Sequence, residues 1–103
     1  MDNMSQEEIA AKVKEVVESD PNKDCIQSIS LFGSYLHGDN HPDSDIDLVF
    51  EMRKAMGLFQ IFAVQHRLEQ KLGRKVDFIE KESLDKYIKS EILASAKEIY
   101  ERR

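Results

Sequence analysis

Asp45 and Asp47 stand two residues apart in the run Asp45-Ile46-Asp47-Leu48-Val49-Phe50. In a strand, side chains alternate across the sheet, so both acids point to one face and Ile46 and Leu48 to the other. Aspartate is depleted in strands, and two on one face, about 7 Å apart along it, repel each other. A divalent cation between them reverses that repulsion, and all-oxygen ligands favour a hard ion such as Mg²⁺. Taken alone, a solvated strand face explains the pair at least as well.

Two further groups raise the same chemistry. Asp77 sits between Val76 and Phe78 in an apolar run, where a carboxylate needs water or a partner. If a neighbouring strand carries it to the Asp45/Asp47 face, three carboxylates can hold two metals and clamp the attacking and leaving oxygens of a phosphoryl transfer. An exposed edge acid is the plainer reading. At Phe32-Gly33-Ser34 a strand ends, glycine follows, and a hydroxyl residue opens a helical turn. Glycine lets backbone N–H groups approach a phosphate, and Ser34 has a hydroxyl to donate; a simple cap explains Ser34 equally. Walker A and G-x-G-x-x-G motifs are absent, which removes the P-loop and dinucleotide-binding readings.

The elements that must position these residues follow from periodicity. Ser5 and Glu8 form a capping-box pair before a helix over 5–19 with Ile9, Val13, Val16 and Val17 on one face, stopped by Asp20-Pro21-Asn22. Strands are predicted over 26–32, 45–51 and 75–80. Residues 34–37 read as a helical turn closed by Gly38, and 38–44 as a loop. A helix over 55–72 turns Leu58, Ile61, Phe62, Gln65, Leu68 and Leu72 inward and ends at Gly73. A last helix over 83–101, capped by Ser83, points Leu84, Ile88, Ile92, Ala96 and Ile99 inward, with Arg102 and Arg103 at its negative end. Alternating helices and strands predict an α/β (α+β) fold, a small mixed sheet of three to four strands flanked by helices.

Composition narrows the class. The 103 residues suit a single domain over 1–103, with one core that buries about two-thirds of the unfolded surface. Fifteen Lys and Arg against 20 Asp and Glu give a net charge of -5, which argues against sequence-independent nucleic-acid binding. No apolar run is long enough to span a membrane, and the acidic start Met1-Asp2-Asn3-Met4-Ser5 lacks the build of a signal peptide. Cys25 is the one cysteine, so no internal disulfide can form and a cytoplasmic protein is expected. His41, His66, Cys25, Tyr35, Tyr87 and Tyr100 lack partners at catalytic or metal spacing and read as packing or solvated residues.

Spacing draws the groups together. Gly33-Ser34, ten intervening residues and Asp45-x-Asp47, followed by a third acid in Val76-Asp77-Phe78, resemble the nucleotidyltransferase superfamily that includes DNA polymerase β. Leu31-Phe32-Gly33-Ser34-Tyr35-Leu36-His37-Gly38 with Ser44-Asp45-Ile46-Asp47-Leu48 is similar to its minimal nucleotidyltransferase branch, over about residues 26–100. The resemblance implies a polymerase β-like fold. It also implies that Asp45, Asp47 and Asp77 are catalytic residues binding Mg²⁺, that Gly33 and Ser34 hold the nucleotide's β- and γ-phosphates, and that Asp77 helps deprotonate the acceptor. ATP is the implied substrate. One departure matters: many minimal members carry Ala-Arg-Gly where this chain has Leu36-His37-Gly38. A histidine is largely neutral near pH 7, whereas arginine grips phosphate with a permanent charge. Arg74 and Lys75 are the nearby basic residues, although such residues beside a strand are ordinarily just solvated.

So small a domain offers an open face, which implies a partner chain. In the resembled branch that partner is a helical HEPN protein, and the pair is a toxin–antitoxin system in which the nucleotidyltransferase transfers AMP to a tyrosine of the toxin. Self-association into a homodimer stays open. Two other readings compete: a module that neutralises its partner by contact alone, favoured by His37, and an aminoglycoside-type enzyme, which needs an acceptor pocket that so short a chain scarcely provides.

Overall fold

The computed structural model describes residues 4–37 and 44–102. The expected Gly38 cap and the loop over 38–43 lie outside the described residues, as do the side chains of Ser34 and His37. Eight elements follow in order: α1 (Gln6–Glu18), β1 (Ile26–Phe32), α2 (Ser34–His37), β2 (Ile46–Met52), α3 (Leu58–Leu72), β3 (Val76–Glu80), α4 (Lys86–Ser95) and β4 (Lys97–Glu101). The strands form one mixed sheet in the order β3-β2-β1-β4. β2 and β3 are parallel, because α3 carries the chain back across the sheet between them. β1 runs antiparallel to both β2 and β4.

One sheet face and the inward stripes of α1 and α3 build the core. Alternation in β2 and β3 sends Ile46, Leu48, Phe50, Val76 and Phe78 into it, against Ile9, Val13 and Val17 of α1 and Val64, Leu68 and Leu72 of α3. The Phe50 and Phe78 rings stack with centroids 4.1 Å apart, which locks β2 beside β3. The same alternation leaves Asp47 and Asp77 on the opposite face. At the start of α1, Ser5 accepts from the Glu8 N–H while Glu8 accepts from the Ser5 N–H, the expected capping box. Beyond its end, the buried Asp20 carboxylate accepts 2.7 Å bonds from the Asn22 N–H and from Arg67 of α3.

The helix expected over 83–101 is two elements. Residues 81–83 form a 3-10 turn, and Asp85, not Ser83, caps α4 by accepting from the Tyr87 and Ile88 amides. Ala96 is extended, and residues 97–101 pair with β1. The three-and-four spacing fits a helix, yet β1 otherwise presents an unpaired edge that another strand satisfies. Consequently α4 buries none of its residues, and Ile88 is exposed. Arg102 does not close a helix but pairs with Asp24 at 2.8 Å.

α3 begins at Leu58, three residues later than expected, and its inward stripe is rotated. Val64 is fully buried, whereas Leu58 and Phe62 are exposed. Gln65, read as a polar break in the inward face, does point inward and donates to the Val76 carbonyl at 3.0 Å.

The Asp20–Arg67 pair ties α1 to α3. Arg67→Met should leave the buried carboxylate without its cation and destabilise the protein by about 2 kcal/mol. Urea unfolding reads this as a lowered midpoint; an unchanged midpoint contradicts the assignment.

Candidate active site

β1 ends at Phe32, which stands opposite Asp47 in the ladder. Gly33 then turns the chain with φ +80, a conformation that glycine adopts without steric cost. A second constraint acts at the same atom. A Cβ on Gly33 would overlap the Asp47 Oδ2 and lie 3.0 Å from its Cγ. Glycine here therefore serves both the turn and the close approach of a carboxylate.

α2 follows at once, and four residues cannot hold a helix unaided. Its tethers come from elsewhere in the chain. Gln6 donates its side-chain amide to the Tyr35 and Leu36 carbonyls at 3.4 and 3.2 Å, and Lys97 donates to Gln6 at 3.2 Å. The Tyr35 side chain is buried, and its hydroxyl accepts from Arg74 Nε at 3.0 Å. None of these tethers is signalled by a sequence motif, since Gln6 and Arg74 each look like ordinary surface residues.

The sequence-predicted acids do come together. Asp47 and Asp77 are directly opposite in the parallel β2–β3 ladder. β2 begins at Ile46, one position later than predicted, so Asp45 lies just before the strand. Burial, a hydrogen bond shared with Asp77, the Asp77 charge and then the Asp45 charge lift the Asp47 carboxyl from 3.8 to about 6. Two carboxylates this close resist double ionisation, so Asp47 keeps its proton to a higher pH than an ordinary aspartate.

A cation can replace that proton. No group of three His, Cys, Asp or Glu among the described residues forms a ready-made cage. Mg²⁺ seldom needs one: it takes one or two carboxylates and fills its remaining positions with water and substrate phosphate oxygens. The donor chemistry of Asp47, Asp77 and Asp45 fits that mode. Of the other singled-out residues, His66 is exposed on α3 and Cys25 is half-buried beside β1.

Because the Asp47 carboxyl binds its proton more tightly in the folded state, its favourable contribution is complete below pH 3.8 and is lost as the pH rises through about 6. In metal-free buffer, Asp47→Asn should be more stable than the parent by about 1 kcal/mol near pH 7.5, allowing for solvent screening, and lose that advantage near pH 4. Unfolding midpoints across pH check this; parallel profiles for the two proteins contradict it.

Comparison with known proteins agrees with the geometry. Residues 11–103 match the family described as Polymerase beta, Nucleotidyltransferase. The protein adenylyltransferase MntA of Thermococcus cleftensis is 32% identical over 68 residues, covering 66% of this chain and 69% of that protein. A solved structure described as a candidate minimal nucleotidyltransferase superposes with a TM-score of 0.76 at 26% identity, covering 93% of this chain and 97% of that one. An MNT antitoxin in complex with a tri-AMPylated HEPN toxin of Shewanella oneidensis shares the fold, with a TM-score of 0.70 at 19% identity over 94% of this chain and 73% of that one. The chain belongs to the polymerase β-type nucleotidyltransferase family.

Proposed function

We propose that this nucleotidyltransferase is a Mg²⁺-dependent protein adenylyltransferase that moves AMP from ATP to a tyrosine hydroxyl of a HEPN-type helical toxin, and so acts as its antitoxin in the cytoplasm. The observation that carries the reading is the Asp47–Asp77 pair, set face to face by the parallel ladder and closed on one side by Gly33. The names of the relatives support the adenylyl group and the HEPN partner.

In this reading Asp45, Asp47 and Asp77 hold Mg²⁺, which supplies charge neutralisation at the phosphates. Gly33 and Ser34 hold the β- and γ-phosphates. Asp77 accepts the proton of the acceptor hydroxyl. The acceptor oxygen forms a bond to the α-phosphorus, and the bond from that phosphorus to the bridging oxygen breaks, releasing pyrophosphate. Little covalent work is asked of the protein; positioning and charge complementarity carry the rate.

A small-molecule acceptor fits less well. An open groove of about 760 Å³ lined by Lys14, Glu18, Lys23, Tyr100 and Arg102 lies at the opposite end of β1 from the acids. A contact-only antitoxin is the second reading, favoured by His37 in place of an arginine.

The test is intact-mass spectrometry of the HEPN partner after incubation with this protein, Mg²⁺ and ATP. AMP additions should appear with the parent protein and fall by at least about 100-fold in rate with Asp45→Ala, Asp47→Ala or Asp77→Ala, each still folded. Retained transfer in those variants contradicts the mechanism. An unmodified partner held in a tight complex turns the reading to contact alone.

A further inference from the structure

A triphosphate is strongly anionic, and the end of the sheet where it would bind carries three carboxylates. Metal ions offset part of that charge, and a fixed cation on the protein is needed for the rest. α2 contributes neither lysine nor arginine. Two basic residues, Arg74 and Lys75, lead into β3, the strand that carries Asp77. The Ile46 N–H donates to the Lys75 carbonyl at 2.9 Å, and Val76 pairs with Ile46. Continued backward, that register sets Lys75 beside Asp45 and Arg74 beside Ser44, at the entrance to the strand that carries Asp77.

The two cations differ in how they are held. Lys75 is exposed, and a lysine stem is free to sample many rotamers. Arg74 is half-buried, and its Nε is fixed at 3.0 Å by the hydroxyl of the buried Tyr35. Tyr35 directly follows Ser34. Among the described residues, the bond at Nε is the one hydrogen bond of this guanidinium, so both terminal nitrogens stay open there. Arg67 and Arg102 each pair with an aspartate, whereas Arg74 has no carboxylate partner among the described residues. A half-buried guanidinium held at one nitrogen, with its fork open, is suited to an anionic ligand.

We propose that Arg74 is a substrate-binding residue that grips the nucleotide's triphosphate, and that Tyr35 is the positioning residue that aims it. This rests on the nucleotidyltransferase reading of the same site.

Calorimetric binding of a Mg²⁺-loaded, non-hydrolysable ATP analogue, of inorganic tripolyphosphate and of adenosine tests it. Arg74→Ala should weaken the first two by about 10- to 100-fold and leave adenosine unchanged. Arg74→Lys, which retains the charge without the fork, should fall between parent and alanine variant. Tyr35→Phe, which frees Arg74 without removing it, should weaken both phosphate probes several-fold. In transfer assays KM for ATP should rise more than kcat falls. Parent-like tripolyphosphate binding by Arg74→Ala, or a loss confined to kcat and thermal stability, overturns the assignment. If the parent binds and transfers normally while Arg74→Ala matches it, only this inference fails. If the parent binds neither phosphate probe, the nucleotidyltransferase reading fails with it.

Discussion

The parallel pairing of β2 with β3 forces two aspartates, 30 residues apart in the chain, into one register position. Much of the architecture maintains that contact against the repulsion of the two charges. α3 returns the chain so that the strands run parallel, the Phe50–Phe78 stack fastens them on the core side, and Gln65 bonds the helix to the Val76 carbonyl at the mouth of β3. The cost falls on Asp47, whose carboxyl is lifted to about 6. Near pH 6 the Asp47 carboxyl therefore exchanges its proton readily. A divalent cation would favour the ionised form, and Mg²⁺ needs only one or two carboxylates rather than a complete protein cage.

The α2 side of the candidate site is assembled differently. α2 is too short to persist alone, and residues from four distant parts of the chain support it: Gln6 and behind it Lys97, Asp47 against the Gly33 turn, and Arg74 bonded to the buried Tyr35. The start of α1 thus serves the site as well as the core. β4 contributes too, because Lys97 at its first position holds Gln6. A strand that the helical spacing conceals therefore completes the support of the candidate site.

Features governed by local chemistry were legible in the sequence. The capping box of Ser5 and Glu8, the β1 strand, the Gly33 turn and the alternation that sends Asp47 to one face and Leu48 to the other depend on residues close in the chain. The acids were legible as a set only through their spacing, since each alone reads as a solvated carboxylate. What escaped depends on distant neighbours. Ile92, Ala96 and Ile99 satisfy a helical period, and only the open edge of β1 makes residues 97–101 a strand. Leu58 and Phe62 carry the residue types of a core face, yet the rotation of α3 places Val64 inward and leaves them exposed. The Tyr35–Arg74 bond joins residues 39 apart, with no local pattern to announce it.

If the Asp47–Asp77 contact is where a metal-bound nucleotide docks, the Asp47 proton is what that ligand displaces. Side-chain carboxyl ¹³C NMR, followed across pH, observes that proton directly. Without metal, the Asp47 resonance should titrate near 6, well above its ordinary 3.8. Adding Mg²⁺ with a non-hydrolysable ATP analogue should drive the Asp47 transition downward, since a bound cation favours the ionised carboxylate. An Asp47 transition near 3.8 that neither senses Asp77 nor moves with Mg²⁺ would contradict the account.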